Sequence, residues 1–328
     1  MKRYRWGILA PGRIAEKFAE GLKLLDNAIL YAVGSRDLAR ADDFAHRHGF
    51  EKAYGSYKDL VSDPDLDVVY VASPHSHHRE HTLLCLGHGK HVICEKAFAL
   101  NLKEVREMIV AAKEKGLFLM EALWPPFQPS YLEADRIIRS REMGDVVTMA
   151  GRFGFIAPYD PEARTYDLAL GGGSLLDIGI YPIMDILRYM GLPDKISAIA
   201  SFAPSGADDS VLAVLGYPDG RKATAYSSFV EDAGVGTTII LEQGRLILER
   251  TRSMGQKLII EKAGKEPVVK TFQPMASGFS YEAAEVMRCL DAGKTESDIV
   301  PHAFSYDLMS LLDSVREAAG IVYPERDL

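Results

Sequence analysis

The sequence predicts two domains of different texture. Residues 1–122 read as an α/β domain with a doubly wound parallel sheet, and residues 123–328 as an α+β domain with a large, mostly antiparallel open sheet. Three observations carry this. Over the first 120 residues short apolar runs alternate with helical spacing, the rhythm of a parallel sheet. The run Val68-Val-Tyr-Val-Ala-Ser73 is apolar without alternation, as in a strand buried on both faces. Past Pro125, Pro126 and Pro129 the pattern changes to strands separated by hairpin turns such as Pro218-Asp-Gly220.

The elements follow in order. Residues 4–10 read as a strand, Pro11-Gly12-Arg13 as a tight turn, and residues 14–25 as a helix. Strand, glycine turn and helix together present helix N-terminal N–H groups to a pyrophosphate. The same residues also fit a plain strand–turn–helix. The G-x-G-x-x-G/A pattern is degraded, with Ala10 first, Gly12 second and Ala15 third. Gly12 matters most, because a missing side chain lets the backbone approach phosphates. A second strand, 28–34, ends at Ser35-Arg36. A carboxylate there would bind the ribose hydroxyls of NAD. A hydroxyl and a guanidinium suit a 2′-phosphate, so NADP(H) is expected over NAD(H). Asp37 is the competing carboxylate; it is read as the N-cap of a helix over 38–48.

A short strand at 53–54, a short helix at 56–61, a strand at 68–73 and a helix at 78–88 continue the rhythm. A strand at 91–94, a helix at 104–115 and a strand at 117–120 complete this domain. His75, His77, His78 and His81 follow the strand at 68–73. No Asp or Cys completes a metal pattern with them, so no metal is expected and a cofactor or substrate contact is. The strand at 91–94 stops at Glu95-Lys96, an adjacent acid and base. In open α/β sheets ligands bind beyond the carboxyl ends of the strands. A solvated ion pair at a strand end reads the same way.

In the second half a helix is expected at 131–140 and strands at 146–155, 196–202, 210–217, 222–230, 236–242, 245–249 and 257–261. Helices at 281–292 and 304–319 close the chain. A broad flat sheet face is a natural dimer surface. The segment Gly171-Gly-Gly-Ser-Leu-Leu-Asp177-Ile-Gly-Ile-Tyr181 stands apart. Its glycines permit close backbone approach, and Asp177 and Tyr181 share a face if the segment is helical. The alternative is a glycine loop capping a helix, with Asp177 near its positive end.

Composition bounds the function. Apolar residues make up 47% and charged residues 26%, with a net charge of −8, which argues against nucleic acid or an anionic membrane as the main partner. No apolar run in the sequence approaches the roughly 20 residues of a membrane span. Cys85, Cys94 and Cys289 are odd in number and widely spaced, so a reducing, cytoplasmic setting is expected.

Four pieces, in this order, resemble the Gfo/Idh/MocA oxidoreductase family. They are Gly7-Ile-Leu-Ala-Pro-Gly12-Arg-Ile-Ala15, Ser73-Pro74-His75-Ser-His-His78, Gly89-Lys-His-Val-Ile-Cys-Glu95-Lys96 and the segment from Gly171 to Tyr181. The stretch Gly116-Leu-Phe-Leu-Met-Glu121-Ala-Leu-Trp124 is similar to the subgroup of dihydrodiol and NADP-linked D-xylose dehydrogenases. The resemblance implies a Rossmann domain followed by an α/β domain with a large open sheet, and a homodimer or homotetramer, expected here through that sheet. It implies hydride transfer between a nicotinamide and a hydroxyl-bearing carbon of a sugar, cyclitol or trans-dihydrodiol. It also places Ala10, Gly12, Arg13 and Ile14, Ser73, Pro74, His75 and His78, and Glu95 and Lys96 against the cofactor. Two departures stand out. Ala97 replaces the proline usual after Glu-Lys, and Pro125-Pro126-Phe127 replaces an arginine common after the tryptophan.

The proton that accompanies the hydride needs a base brought toward neutrality. Tyrosine and lysine both start near pKa ~10, and an ammonium beside a phenol lowers the phenol. Tyr181 is therefore read as the acid–base, Lys96 as its electrostatic partner and Asp177 as the orienting carboxylate, with exchange at Lys96 the alternative. Trp124, Arg164 and Tyr166 join these three as substrate contacts. Two rival classes are a nicotinamide-sensing regulator and an enzyme that keeps its cofactor bound for a net non-redox reaction.

Overall fold

A computed structural model describes residues 2–250, 255–275 and 278–323. The chain divides into two compact units. The first is Met1–Phe127 with Met275–Tyr306, the second Gln128–Pro274 with Asp307–Leu328.

The first unit is built on β1 (Tyr4–Leu9), α1 (Arg13–Leu22), β2 (Ala28–Gly34), α2 (Leu38–His48) and β3 (Lys52–Tyr54). Then come α3 (Tyr57–Ser62), β4 (Val68–Val71), α4 (His78–Gly87), β5 (His91–Glu95), α5 (Leu102–Lys115) and β6 (Leu119–Ala122). The six strands form one parallel sheet in the order β3-β2-β1-β4-β5-β6. All its carboxyl ends therefore lie on one edge. The sequence explains the sheet: every residue of β4 is buried, and Trp6, Ile8 and Leu9 of β1 are fully enclosed. Each such side chain contributes about 1.5–3 kcal/mol by leaving water. Phe18 of α1 stacks on Tyr70 of β4 at 3.8 Å between centroids, which seats the helix on the sheet.

The second unit holds α6 (Pro129–Ser140), β7 (Val146–Gly154), α7 (Ile180–Met190), β8 (Lys195–Phe202), β9 (Asp208–Gly216) and β10 (Lys222–Ser228). It continues with β11 (Gly234–Leu241), β12 (Gly244–Arg250), β13 (Gln256–Lys262) and β14 (Val268–Phe272). Pro129 starts α6 at its first position, where no N–H is needed. Eight strands pair in the order β14-β13-β12-β11-β7-β10-β9-β8. All pairs are antiparallel except β7 with β10, which run parallel. One face is buried by alternate residues: Met149 and Gly151 of β7, Thr237 and Ile239 of β11, Leu246 and Leu248 of β12. α7 packs on this face. The stretch Leu168–Met190 has the length and apolarity of a membrane span, which sequence reading missed, but 94% of its most apolar 18 residues are buried inside the protein. It is a core helix of this unit.

The chain then returns to the first unit. In α8 (Phe279–Asp291), Ser280 and Phe279 lie against Gly21 of α1. The Tyr4 hydroxyl donates to Asp291 at 2.8 Å, and the Leu119 N–H donates to the Thr295 carbonyl at 3.1 Å. The division therefore departs from a cut at residue 122, because 275–306 completes the first sheet's surroundings. The last helix, α9 (His302–Ala319), carries the chain into the second unit.

Candidate active site

The carboxyl edge of the first sheet gathers most of the sequence-predicted cofactor residues. Ala10 ends β1 with φ +68°, the left-handed region, at the place where the pattern has glycine. Its N–H bonds the Gly34 carbonyl at 3.0 Å, which ties the first turn to β2. Gly12 is the N-cap of α1 with φ −125°, a backbone any residue adopts, and among the described residues a Cβ there would meet nothing within 4 Å. None of the described residues demands glycine there; the open space beside the N–H groups of α1 suits a phosphate from outside. Arg13 and Ile14 form the first turn of that helix.

At the end of β2, Ser35 is buried and its hydroxyl accepts the Asp37 N–H at 3.2 Å. The Asp37 carboxylate accepts the Ala39 N–H at 2.9 Å and caps α2. Arg36 is exposed beside Tyr57. Burial pushes the Tyr57 phenol up, against the guanidinium charges of Arg36 and Arg40 and a hydrogen bond with Arg36. The Tyr57 ring meets His81 edge-on at 4.7 Å. His81 bonds the Ser73 hydroxyl at 2.9 Å; burial, with the charges of His77 and Arg36, lowers it to about 4. Arg40 and Tyr57 escaped sequence reading because they come from α2 and α3, outside any glycine motif.

His75 is buried and meets His78 edge-on at 5.6 Å, next to Pro74. His78 is a clamp: its two ring nitrogens lie 2.8 Å from the Ala97 carbonyl and 2.7 Å from the Ser73 carbonyl. Burial lowers it to about 4, although both carbonyls favour the protonated ring. It thus fixes the loop after β4 to the loop after β5. Among the described residues no group of three His, Cys, Asp or Glu side chains is placed to hold a metal ion.

Glu95 is buried; one oxygen takes the Tyr70 hydroxyl and the other accepts the Lys96 N–H at 3.2 Å. The Lys96–Ala97 peptide is cis. The Phe98 N–H then donates to Glu121 of β6 at 3.0 Å. Burial pushes Glu121 up to about 8. Two buried carboxyl groups, Glu95 and Glu121, therefore hold the backbone that presents Lys96. Trp124 is 7% exposed, with its ring 6.0 Å from Phe279.

In the second unit the glycine-rich segment becomes a π-helical turn, Leu175–Gly179, that runs into α7. Pro182 has no N–H for the regular bond back to residue 178, a local reason for the wider turn. The close approach allowed by the glycine run is made to Asp208. A Cβ on Gly173, where φ is +127°, would lie 2.1 Å from an Asp208 oxygen. Asp208 accepts the Leu175 N–H at 2.7 Å and the Ser174 hydroxyl at 3.0 Å, and burial raises it to about 7. Asp177 projects from the π turn and is paired by Arg164 Nη2 at 3.1 and 3.2 Å. Tyr181 sits on α7 with Phe153 5.6 Å away and the Arg250 guanidinium 4.9 Å from its ring centre. Tyr166 is a packing residue: it is 2% exposed in a cluster with Ile178, Ala203 and Phe229, and its hydroxyl donates to the Ala157 carbonyl.

The profile described as "Oxidoreductase family, NAD-binding Rossmann fold" matches residues 4–123, and that described as "GFO/IDH/MocA C-terminal domain" matches residues 131–247. The chain belongs to the Gfo/Idh/MocA oxidoreductase family. Among Gfo/Idh/MocA relatives it is similar to trans-1,2-dihydrobenzene-1,2-diol dehydrogenase from Sus scrofa, 35% identical over 98% of each chain. The Xenopus laevis enzyme of the same name is 36% identical over 98% of this chain and 99% of its own. Of solved Gfo/Idh/MocA structures, aldose-aldose oxidoreductase from Caulobacter crescentus, complexed with glycerol, superposes with a TM-score of 0.88 at 26% identity, covering 97% of this chain and 98% of that one. Levoglucosan dehydrogenase, in complex with NADH and L-sorbose, shares the fold with a TM-score of 0.87 at 18% identity, covering 98% and 97%. This Gfo/Idh/MocA member is an NAD(P)-dependent oxidoreductase.

Proposed function

We propose that this chain is an NADP(H)-dependent dehydrogenase that oxidises a CH–OH carbon of a trans-dihydrodiol or a sugar-like diol. One observation carries the cofactor choice. The Asp37 carboxylate is committed to the N-terminus of α2, while the guanidiniums of Arg36, just past β2, and Arg40 of α2 both act on Tyr57 of α3. A ribose with free hydroxyls favours a carboxylate; a 2′-phosphate favours guanidinium forks. Gly12 and the first turn of α1 would take the pyrophosphate. When bound, the nicotinamide supplies the two-electron acceptor. The substrate class follows the dihydrodiol dehydrogenases, which align with 98% of this chain.

The remaining chemistry is one proton. Tyr181 is proposed to take it from the substrate hydroxyl. Lys96 is proposed to donate a hydrogen bond to the substrate and favour the phenolate. Asp177, held by Arg164, is proposed to orient the diol. We assign the enzyme to the cytoplasm, in keeping with three cysteines that are free and buried. We also propose that copies pair through the outer face of the second sheet. There Ile199 is 74% exposed and lies opposite Leu212, itself 41% exposed. Sedimentation velocity on the protein and on Ile199→Asp checks this pairing.

Fluorescence titration with NADPH and with NADH tests the cofactor, and NADP-linked oxidation of trans-dihydrobenzenediol against D-xylose tests the substrate. NADPH is expected to bind at least about tenfold tighter, a difference of about 1.4 kcal/mol. Lys96→Met is expected to lower turnover by about 10²–10⁴-fold with NADPH affinity nearly unchanged. Equal affinity for the two cofactors, or near-parental turnover of Lys96→Met, would overturn these assignments.

A further inference from the structure

We propose that Arg250 is a positioning residue for Tyr181: its guanidinium lies over the phenol ring, holds the ring's orientation and favours the phenolate. The inference rests on Tyr181 as the proton-exchanging group. Strand parity delivers the arginine. Leu246 and Leu248 of β12 point into the core, and Arg250, two residues on, shares their face. Its Cζ lies 4.9 Å from the Tyr181 ring centre and 5.6 Å from that of Phe153. Phe153 itself packs on Tyr181, so the two rings and the cation form one cluster inside the second unit. A cation over an aromatic face is attracted by the ring quadrupole, and more so when water is excluded. Tyr181 is only 7% exposed.

Other charges surround α7 and are paired among themselves. Asp177 pairs with Arg164, and Asp135 of α6 pairs with Arg188. Asp185, one turn beyond Tyr181, accepts the Tyr131 hydroxyl at 2.9 Å and the Thr237 hydroxyl. Burial raises Asp185, and the Arg250 charge is the first influence that opposes this. On the strands beneath α7, Arg152 of β7 donates to the Ala233 carbonyl, and Tyr226 lies on β10. Glu249 precedes Arg250 on the opposite face of β12. The charge of Arg250 thus acts on both the phenol ring and a buried carboxylate of the same helix.

The test is ¹³Cζ-tyrosine NMR titration of the intact protein without cofactor, with the Tyr181 resonance assigned from Tyr181→Phe. Arg250→Gln is expected to raise the Tyr181 pKa by about 1 unit, and Arg250→Lys to restore it to within about 0.3 unit, because the cation and not the packing sets it. The acidic limb of kcat against pH for oxidation should move with it, while the Kd for NADPH stays put. A Tyr181 pKa that does not move in Arg250→Gln, or that moves without rescue by Arg250→Lys, overturns the proposal. Parental turnover in Tyr181→Phe would instead sink the acid–base reading, leaving the resonance result to decide the role of Arg250 by itself.

Discussion

Gly151 of β7 and Pro182 of α7 meet so closely that a Cβ on the glycine would lie 2.7 Å from the proline Cβ. The helix that carries Tyr181 rests directly on sheet backbone there. Gly151→Ala should push α7 outward, costing about 1–3 kcal/mol by overpacking. Urea unfolding reads the stability loss. Turnover should fall with it while NADPH binding, a property of the other unit, holds.

Ala10 occupies a left-handed conformation that costs a non-glycine residue about 1–2 kcal/mol. Ala10→Gly should relieve this, offset by about 0.5–1 kcal/mol of extra unfolded-chain freedom. Ala10→Val, β-branched at positive φ, should lose at least about 1 kcal/mol. Thermal unfolding should therefore rank glycine at or above alanine and valine well below; valine as stable as alanine would contradict the backbone geometry.

Removing either guanidinium beside Tyr57 should discriminate between cofactors. Arg36→Ala and Arg40→Ala should each weaken NADPH binding about 10- to 100-fold, the worth of a charge-assisted hydrogen bond, with NADH affinity changed little. Raised salt should narrow the gap. Equal losses for both nucleotides would mean that these arginines merely support the loop.

Glu121 gives the fold a pH signature. Its carboxyl is held near 8 by burial, against an ordinary 4.5. Between these values the folded protein keeps a proton that the unfolded chain has released. Stability therefore falls as pH rises from about 4.5 to about 8, with a slope approaching 1.4 kcal/mol per unit. Glu121→Gln, neutral throughout, should match the parent below about pH 4, exceed it by about 2 kcal/mol at pH 6, and so flatten that slope. Denaturant midpoints at several pH values decide it; an unchanged slope would show that another group is responsible.

Much of this was legible because local rules dictate it. Val68-Val-Tyr-Val reads as a doubly covered strand, and it is one. Asp37 reads as a cap because a short carboxylate before a helix satisfies its free N–H groups, and it does so here. What escaped depends on distant partners. The parallel pairing of β7 with β10 joins residues some seventy positions apart, beyond any hairpin signal. The strand Val268–Phe272 was missed because it is only five residues long and its apolar residues, Val268, Val269 and Phe272, do not alternate. The partner of the glycine run, Asp208, lies 33 residues past Leu175. Arg250 was hidden because its strand was read as ending at residue 249, one short of the position that points inward. Tyr166 carried the residue type of a substrate contact but not the environment, since its ring fills a core cluster.

The chain passes between the two units at 127–128, 274–275 and 306–307. Residues 275–306 supply the first unit with the Asp291 acceptor for Tyr4 and the Thr295 acceptor for Leu119. On the ribosome, then, the nucleotide-binding sheet emerges first but cannot be completed until nearly the whole chain has been made. At about 5–20 residues per second, the wait for the roughly 150 residues between is on the order of ten seconds or more. The second sheet has that interval to itself, and the last arrivals close the first.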